Sequence, residues 1–156
     1  VKENSMAVST TLVQWSIQQA KTAGLSVPSA RLEVDFFLRS KLPGLQLLCE
    51  QAWIDTGAPL SVIPFHVHNG RLDWKQVPGV QLTWGGQVCD LGAVEVWLSI
   101  QESPNLRGPL NLLAKFPRSD PPGSRVPILV GLEFFLSNQA GLNVQPPAQQ
   151  SAIWLP

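Results

Sequence analysis

The stretch Ala52-Trp53-Ile54-Asp55-Thr56-Gly57-Ala58 joins three apolar residues to a carboxylate, a hydroxyl and a glycine. An apolar run bounded by turn residues reads as the end of a buried strand. The plain reading of Asp55 to Ala58 is a tight turn, with Asp55 accepting hydrogen bonds from nearby amides and Gly57 taking positive φ. A second reading is a strand end that presents Asp55 for chemistry. Upstream, Leu32, Val34, Phe36 and Leu38 alternate with Glu33, Asp35 and Phe37, which predicts a strand with one apolar face.

Downstream, Val126-Pro127-Ile128-Leu129-Val130-Gly131-Leu132-Glu133-Phe134-Phe135-Leu136 is an apolar run that stops at Gly131 and turns into a short apolar helix. Between the two elements, Val80 to Trp84 and Gln87 to Leu98 flank Gly85-Gly86, a hairpin signal. Turn residues at Lys41 to Gly44, His68 to Gly70 and Pro78-Gly79 space the strands as in an all-β fold. Leu110 to Phe116 is a further strand, and Pro117 to Arg125 reads as an exposed loop.

Together, the two elements and their order resemble the retropepsin family, the single-domain aspartic proteases of retroviruses and their bacterial relatives, over roughly Leu32 to Val144. The resemblance implies a mostly-β fold: a closed barrel of short antiparallel strands with a flap hairpin and one short C-terminal helix. It implies that Asp55 is catalytic, that Thr56 turns its hydroxyl toward a second subunit, and that Gly57 offers its amide to the carboxylate. Gly131 is the family's glycine signature. Trp84, Gly85 and Gly86 form the flap tip. Trp53, two residues before Asp55, is either a substrate-facing wall or a core residue. Gly141 to Val144 corresponds to a C-terminal interface strand.

Departures from the family pattern carry expectations too. Ala58 replaces a serine frequent among relatives and withholds one hydrogen bond from the carboxylate, so activity is expected nearer neutral pH than in pepsin-like enzymes. Pro59 and Leu132 stand where viral enzymes place an acid and its arginine partner, and losing both ends of an ion pair is coherent where losing one is costly. Glu133 is expected to cap the helix start or to be merely solvated.

The chain holds no second Asp-Thr/Ser-Gly. Peptide hydrolysis by carboxylates needs two around one water, so the expectation is a homodimer with one Asp55 from each subunit, acting on a peptide or protein substrate without metal or other cofactor. Two rivals stand beside the endopeptidase: a dimerisation or peptide-binding module with little turnover, and a protease that cuts only its own precursor.

Composition sets outer limits. The 156 residues include 44% hydrophobic and 14% charged side chains, against disorder and for apolar surface shared with another subunit. Eleven basic and eleven acidic residues cancel, so no bulk charge recruits nucleic acid. No apolar run reaches the roughly 18 residues of a membrane span. Without a signal-peptide pattern at its start, the chain is expected in the cytoplasm rather than secreted.

Cys49 and Cys89 are expected as buried free thiols, and His66 and His68 as surface residues rather than metal ligands. Residues 1–30 read as an N-terminal extension, 31–145 as the protease domain and 146–156 as a tail at the dimer interface. Thr11 to Gln14 matches a capping box with Gly24 as a stop, predicting a short helix, while the β-branched residues from Val8 to Trp15 leave a strand open.

Overall fold

The structure, a computed structural model, describes residues 9–123, 125–145 and 150–156. The chain is mostly β. Its elements are β1 (Ser9–Thr22), β2 (Leu25–Arg39), β3 (Leu47–Ile54), β4 (Ser61–Val62), α1 (Phe65–His68), β5 (Trp74–Trp84), β6 (Gln87–Ser99), β7 (Leu106–Pro117), β8 (Ile128–Val130), α2 (Leu132–Ser137), β9 (Gly141–Gln145) and β10 (Gln150–Leu155). All ten strands belong to one sheet, in the order β5-β6-β7-β4-β8-β3-β2-β1-β10-β9.

The alternation in β2 works as its sequence predicts. Val34, Phe36 and Leu38 are buried, and Phe36 packs on Phe134 of α2 with ring centroids 5.3 Å apart. The same β2 pairs a second time, Phe37 with Trp97 and Leu38 with Val96 of β6. The sheet therefore curls until β2 meets β6 around the core of Phe36, Leu98, Leu112, Ile128 and Phe134. The expected closed barrel of short strands is met only in part. The closing contact is two residue pairs, β1 and β2 are 14 and 15 residues long, and β5 and the β1-β10-β9 group continue outside the circuit.

The helix expected near the start is a strand. Ser9 to Val13 pair with Leu155 to Ser151 of β10, and Gln14 to Thr22 pair with Glu33 to Leu25 of β2. The two-residue period wins over the helical one: Thr11 and Val13 are buried, Gln14 is exposed, and the Trp15 Nε1–H donates to Ser151 Oγ at 2.9 Å. Gly24, read as a helix stop, is instead half of a hairpin turn, with Ala23 at φ 51° and Gly24 at φ 78°. Val8, in the same expectation, lies outside the described residues.

The C-terminal apolar run finds burial within its own chain. Ile153 and Leu155 are buried, while Trp154 stays 43% exposed. Strand β2 runs through the boundary expected at residues 30 and 31.

Candidate active site

Asp55 is delivered by β3. Ala52, Trp53 and Ile54 pair in parallel with Ile128, Leu129 and Val130 of β8, and the next amide, that of Asp55, donates to Val130 O at 2.8 Å. The two sequence signatures are thus neighbouring strands. Beyond Asp55 the chain turns: the Gly57 amide donates to Asp55 Oδ1 at 3.2 Å, and the Ala58 amide donates to Asp55 O at 3.1 Å. Asp55 is partly exposed, and Thr56 and Gly57 are exposed. No side-chain hydrogen bond of Thr56 occurs among the described residues.

Gly57 corrects one expectation. Its φ is not among the positive ones, and a Cβ there would meet Asp55 Oδ1 at 3.4 Å, an ordinary contact. What this residue supplies is its amide.

Gly131 is where close approach demands glycine. A Cβ at that position would lie 2.6 Å from the carbonyl carbon of Leu60 and 2.8 Å from Ala58 O. The gap is closed by three amides: Gly131 donates to Ser61 Oγ at 2.9 Å, Leu132 to Ala58 O at 2.9 Å and Glu133 to Pro59 O at 3.0 Å. The start of α2 thereby spends its unpaired N–H groups on the loop after Asp55, which fixes that loop from behind. Leu132 turns outward at 46% exposure. The Glu133 side chain makes no cap at the helix start; it accepts from the Ser137 hydroxyl through Oε1 and keeps Oε2 buried without a partner among the described residues.

Trp53 is a core residue only in part. It is half-buried, its Nε1 is shielded without a partner among the described residues, and the Arg31 guanidinium lies over its ring 4.8 Å from the centroid. Sequence reasoning missed Arg31. The signal was the alternation of β2 continued toward the N-terminus, which puts residue 31 on the same face as Glu33, the partner of Trp53.

The hairpin of β5 and β6 turns at Gly85 (φ 55°) and Gly86 (φ 76°), as a two-residue turn with both φ positive requires, and Trp84 pairs with Gln87. A register shift between Gln76 and Gln81, at Pro78-Gly79, breaks the arm. The described bonds of this tip run to the end of β7 and the segment after it. Lys115 Nζ donates to Thr83 O at 3.0 Å, the Arg118 amide to Val88 O at 3.1 Å, and the Ser119 hydroxyl to Gln87 Oε1. Arg118 also pairs with Asp90 at 2.8 Å, and its hydrogen bond holds the Asp90 carboxyl below the usual carboxylate range. None of these bonds reaches the Asp55 loop.

His68 is buried, contrary to expectation. The helix α1 inserts it among Phe65, Trp74 and Phe116, where a ring nitrogen lies 2.8 Å from Pro117 O. Burial lowers its pKa from 6.5, more than the Pro117 carbonyl and the nearby Asp120 and Asp90 raise it. His66 remains nearer the surface and pairs with Asp120 at 3.0 Å. No group of three His, Cys, Asp or Glu side chains positioned for a metal occurs among the described residues. Both cysteines are free, and Cys89 is buried as expected, but Cys49 is exposed because it falls on the outer face of β3 between buried Leu48 and Ala52.

Of the two cavities described, the larger, about 420 Å³, is lined by Gln14, Glu33, Asp35, Gln51 and residues 99–101; neither cavity includes Asp55. No family model, curated protein or solved structure matches this chain. No helix among the described residues is long and apolar enough to cross a membrane.

Proposed function

We propose that this chain is a retropepsin-like aspartic endopeptidase, active as a homodimer in which two copies of Asp55 share one water. The observation that carries the reading is the double anchoring of Asp55: its amide on Val130 O, and its loop held against Gly131 and the start of α2. A loop fixed at both ends can bring a carboxylate to a symmetry axis in one geometry, which is what a reaction between two copies of one side chain requires. One carboxylate takes a proton from the attacking water while the other, protonated, polarises the peptide carbonyl. Like charges about 3 Å apart cannot both ionise, so the pair shares a proton.

An open setting around Asp55 in a single chain accords with this. The cleft of a symmetric enzyme lies between its two halves, and one half alone has a carboxylate on an open surface. Trp53 forms an aromatic wall beside the reacting centre, and the hairpin tipped by Trp84, Gly85 and Gly86 covers it when the arm swings from its contacts with residues 115–121.

The test is cleavage of a mixed peptide library from acid to neutral pH by the wild type and by Asp55→Asn, with the mass in solution measured at several concentrations. Dimers whose cleavage disappears with Asp55→Asn support the proposal. A strict monomer, or cleavage that survives the substitution, rejects it. The second reading, a peptide-binding or dimerisation module, draws on the hairpin tip bonded to Lys115, Arg118 and Ser119 instead of the Asp55 loop. Dimers that bind peptides and cut none at any pH favour it.

A further inference from the structure

We propose that Arg31 selects peptides carrying an acidic side chain next to the bond at Asp55, an inference that rests on the reading of Asp55 as the reacting group. The β2–β3 ladder pairs Glu33 with Trp53. Toward the same end of this ladder, Arg31 lies two residues before Glu33 on β2, and Asp55 is the first residue past the end of β3, two after Trp53. Residues two apart on a strand share a face, and so do cross-strand partners. Arg31, Trp53 and Asp55 therefore border one end of the ladder, with the indole as a platform for the guanidinium, 4.8 Å from the ring centroid.

The state of Arg31 is the second observation. Three arginines have carboxylate partners: Arg39 with Glu95, Arg71 with Glu50 and Arg118 with Asp90. Arg31 is exposed and enters no ion pair among the described residues. Glu33, the next acid on its own face, accepts from Gln51 Nε2 at 3.0 Å. The loop from Thr56 to Val62 contains no acidic residue, so a twin chain meeting this one loop to loop brings no carboxylate from that segment to claim it.

A guanidinium resting flat on an aromatic ring uses its face for the ring and leaves its N–H edge for a planar carboxylate, which it can grip through two parallel bonds. The stacking also fixes the long side chain before a ligand arrives, so less freedom is lost on binding. A glutamate or aspartate of the substrate gains a charge-assisted pair, a glutamine gains less, and a lysine is repelled.

The experiment uses peptide pairs that differ only by Glu or Gln beside the cleaved bond, with the wild type, Arg31→Gln and Arg31→Glu. The expected wild-type preference for the Glu peptide in kcat/KM is about tenfold. It falls to near one in Arg31→Gln, and Arg31→Glu prefers a Lys peptide. Each value compares two substrates of one variant, so a general loss of activity cancels. An unchanged ratio in all three proteins overturns the inference and leaves the protease reading standing. Should the wild type cut nothing, the same pairs are titrated with fluorescence polarisation. A Glu preference that depends on Arg31 then keeps the selection and removes only hydrolysis, while equal affinities overturn the inference as well.

Discussion

Gly131 and Leu60 approach so closely that a Cβ on the first would sit 2.6 Å from the carbonyl carbon of the second. The φ of Gly131 is −88°, an ordinary value, so space and not backbone conformation requires glycine here. Gly131→Ala must push the loop of Ala58 to Ser61 away from α2. The expected loss is about 1–3 kcal/mol of stability, in the range of overpacked cores, read as a lower denaturant midpoint at unchanged slope. Any peptidase activity should fall further than stability does, because the displaced loop carries Asp55.

Asp55→Asn separates chemistry from folding. The amide oxygen of Asn can still accept from the Gly57 amide, so thermal stability should stay within about 0.5 kcal/mol of the wild type. Peptide cleavage should fall by at least about 10²–10⁴-fold, the contribution of a positioned acid or base. Thermal melts and library cleavage on the same samples check both halves.

Buried His68 makes stability depend on pH. Desolvation lowers its folded pKa below the unfolded 6.5, so the unfolded chain binds more protons in the window just beneath 6.5. Its contribution is complete above that value and declines as pH falls through the window. His68→Phe, which keeps an aromatic ring beside Trp74 and Phe116, should flatten the stability profile just below pH 6.5. Denaturation at closely spaced pH values measures the slope.

The tie between Asp90 and Arg118 has the opposite charge type and the same direction. Asp90 is held below its ordinary 3.8 by the Arg118 hydrogen bond, which outweighs partial burial. Its contribution is present above the unfolded value and is lost as pH falls through the lower folded one. Asp90→Asn should loosen the hairpin from the segment after β7, seen as faster amide exchange of Arg118, whose N–H donates to Val88 O.

Much of the central fold is legible in the sequence where its strands alternate with a period of two and one wet face. In β2, Val34, Phe36 and Leu38 go inward as their alternation requires, and Gly85-Gly86 turn the hairpin as glycines at positive φ do. The start of the chain misleads because Thr11 to Gln14 fit a capping box with Gly24 as a stop, while the β-branched residues from Val8 to Trp15 fit a strand. Local pattern cannot decide between them. The partner that decides, β10, lies at the other end of the sequence. His68 reads as a surface residue since its aromatic surroundings come from Phe65, Trp74 and Phe116, which only tertiary packing assembles. At the site, the strand-end position of Asp55 and its neighbourhood with Gly131 can be read from the motifs, whereas the stacking of Arg31 on Trp53 needs the register of β2 on β3.

The antiparallel ladder between β1 and β10 begins with Ser9 beside Leu155. A mechanical load applied through these two positions meets the ladder at its open end, perpendicular to the strands. Its hydrogen bonds then part singly, as in a zipper, where shear would strain them all together. The domain should therefore yield at low force when stretched along that line, peeling β10 away first and freeing β9, which pairs with no other strand among the described residues.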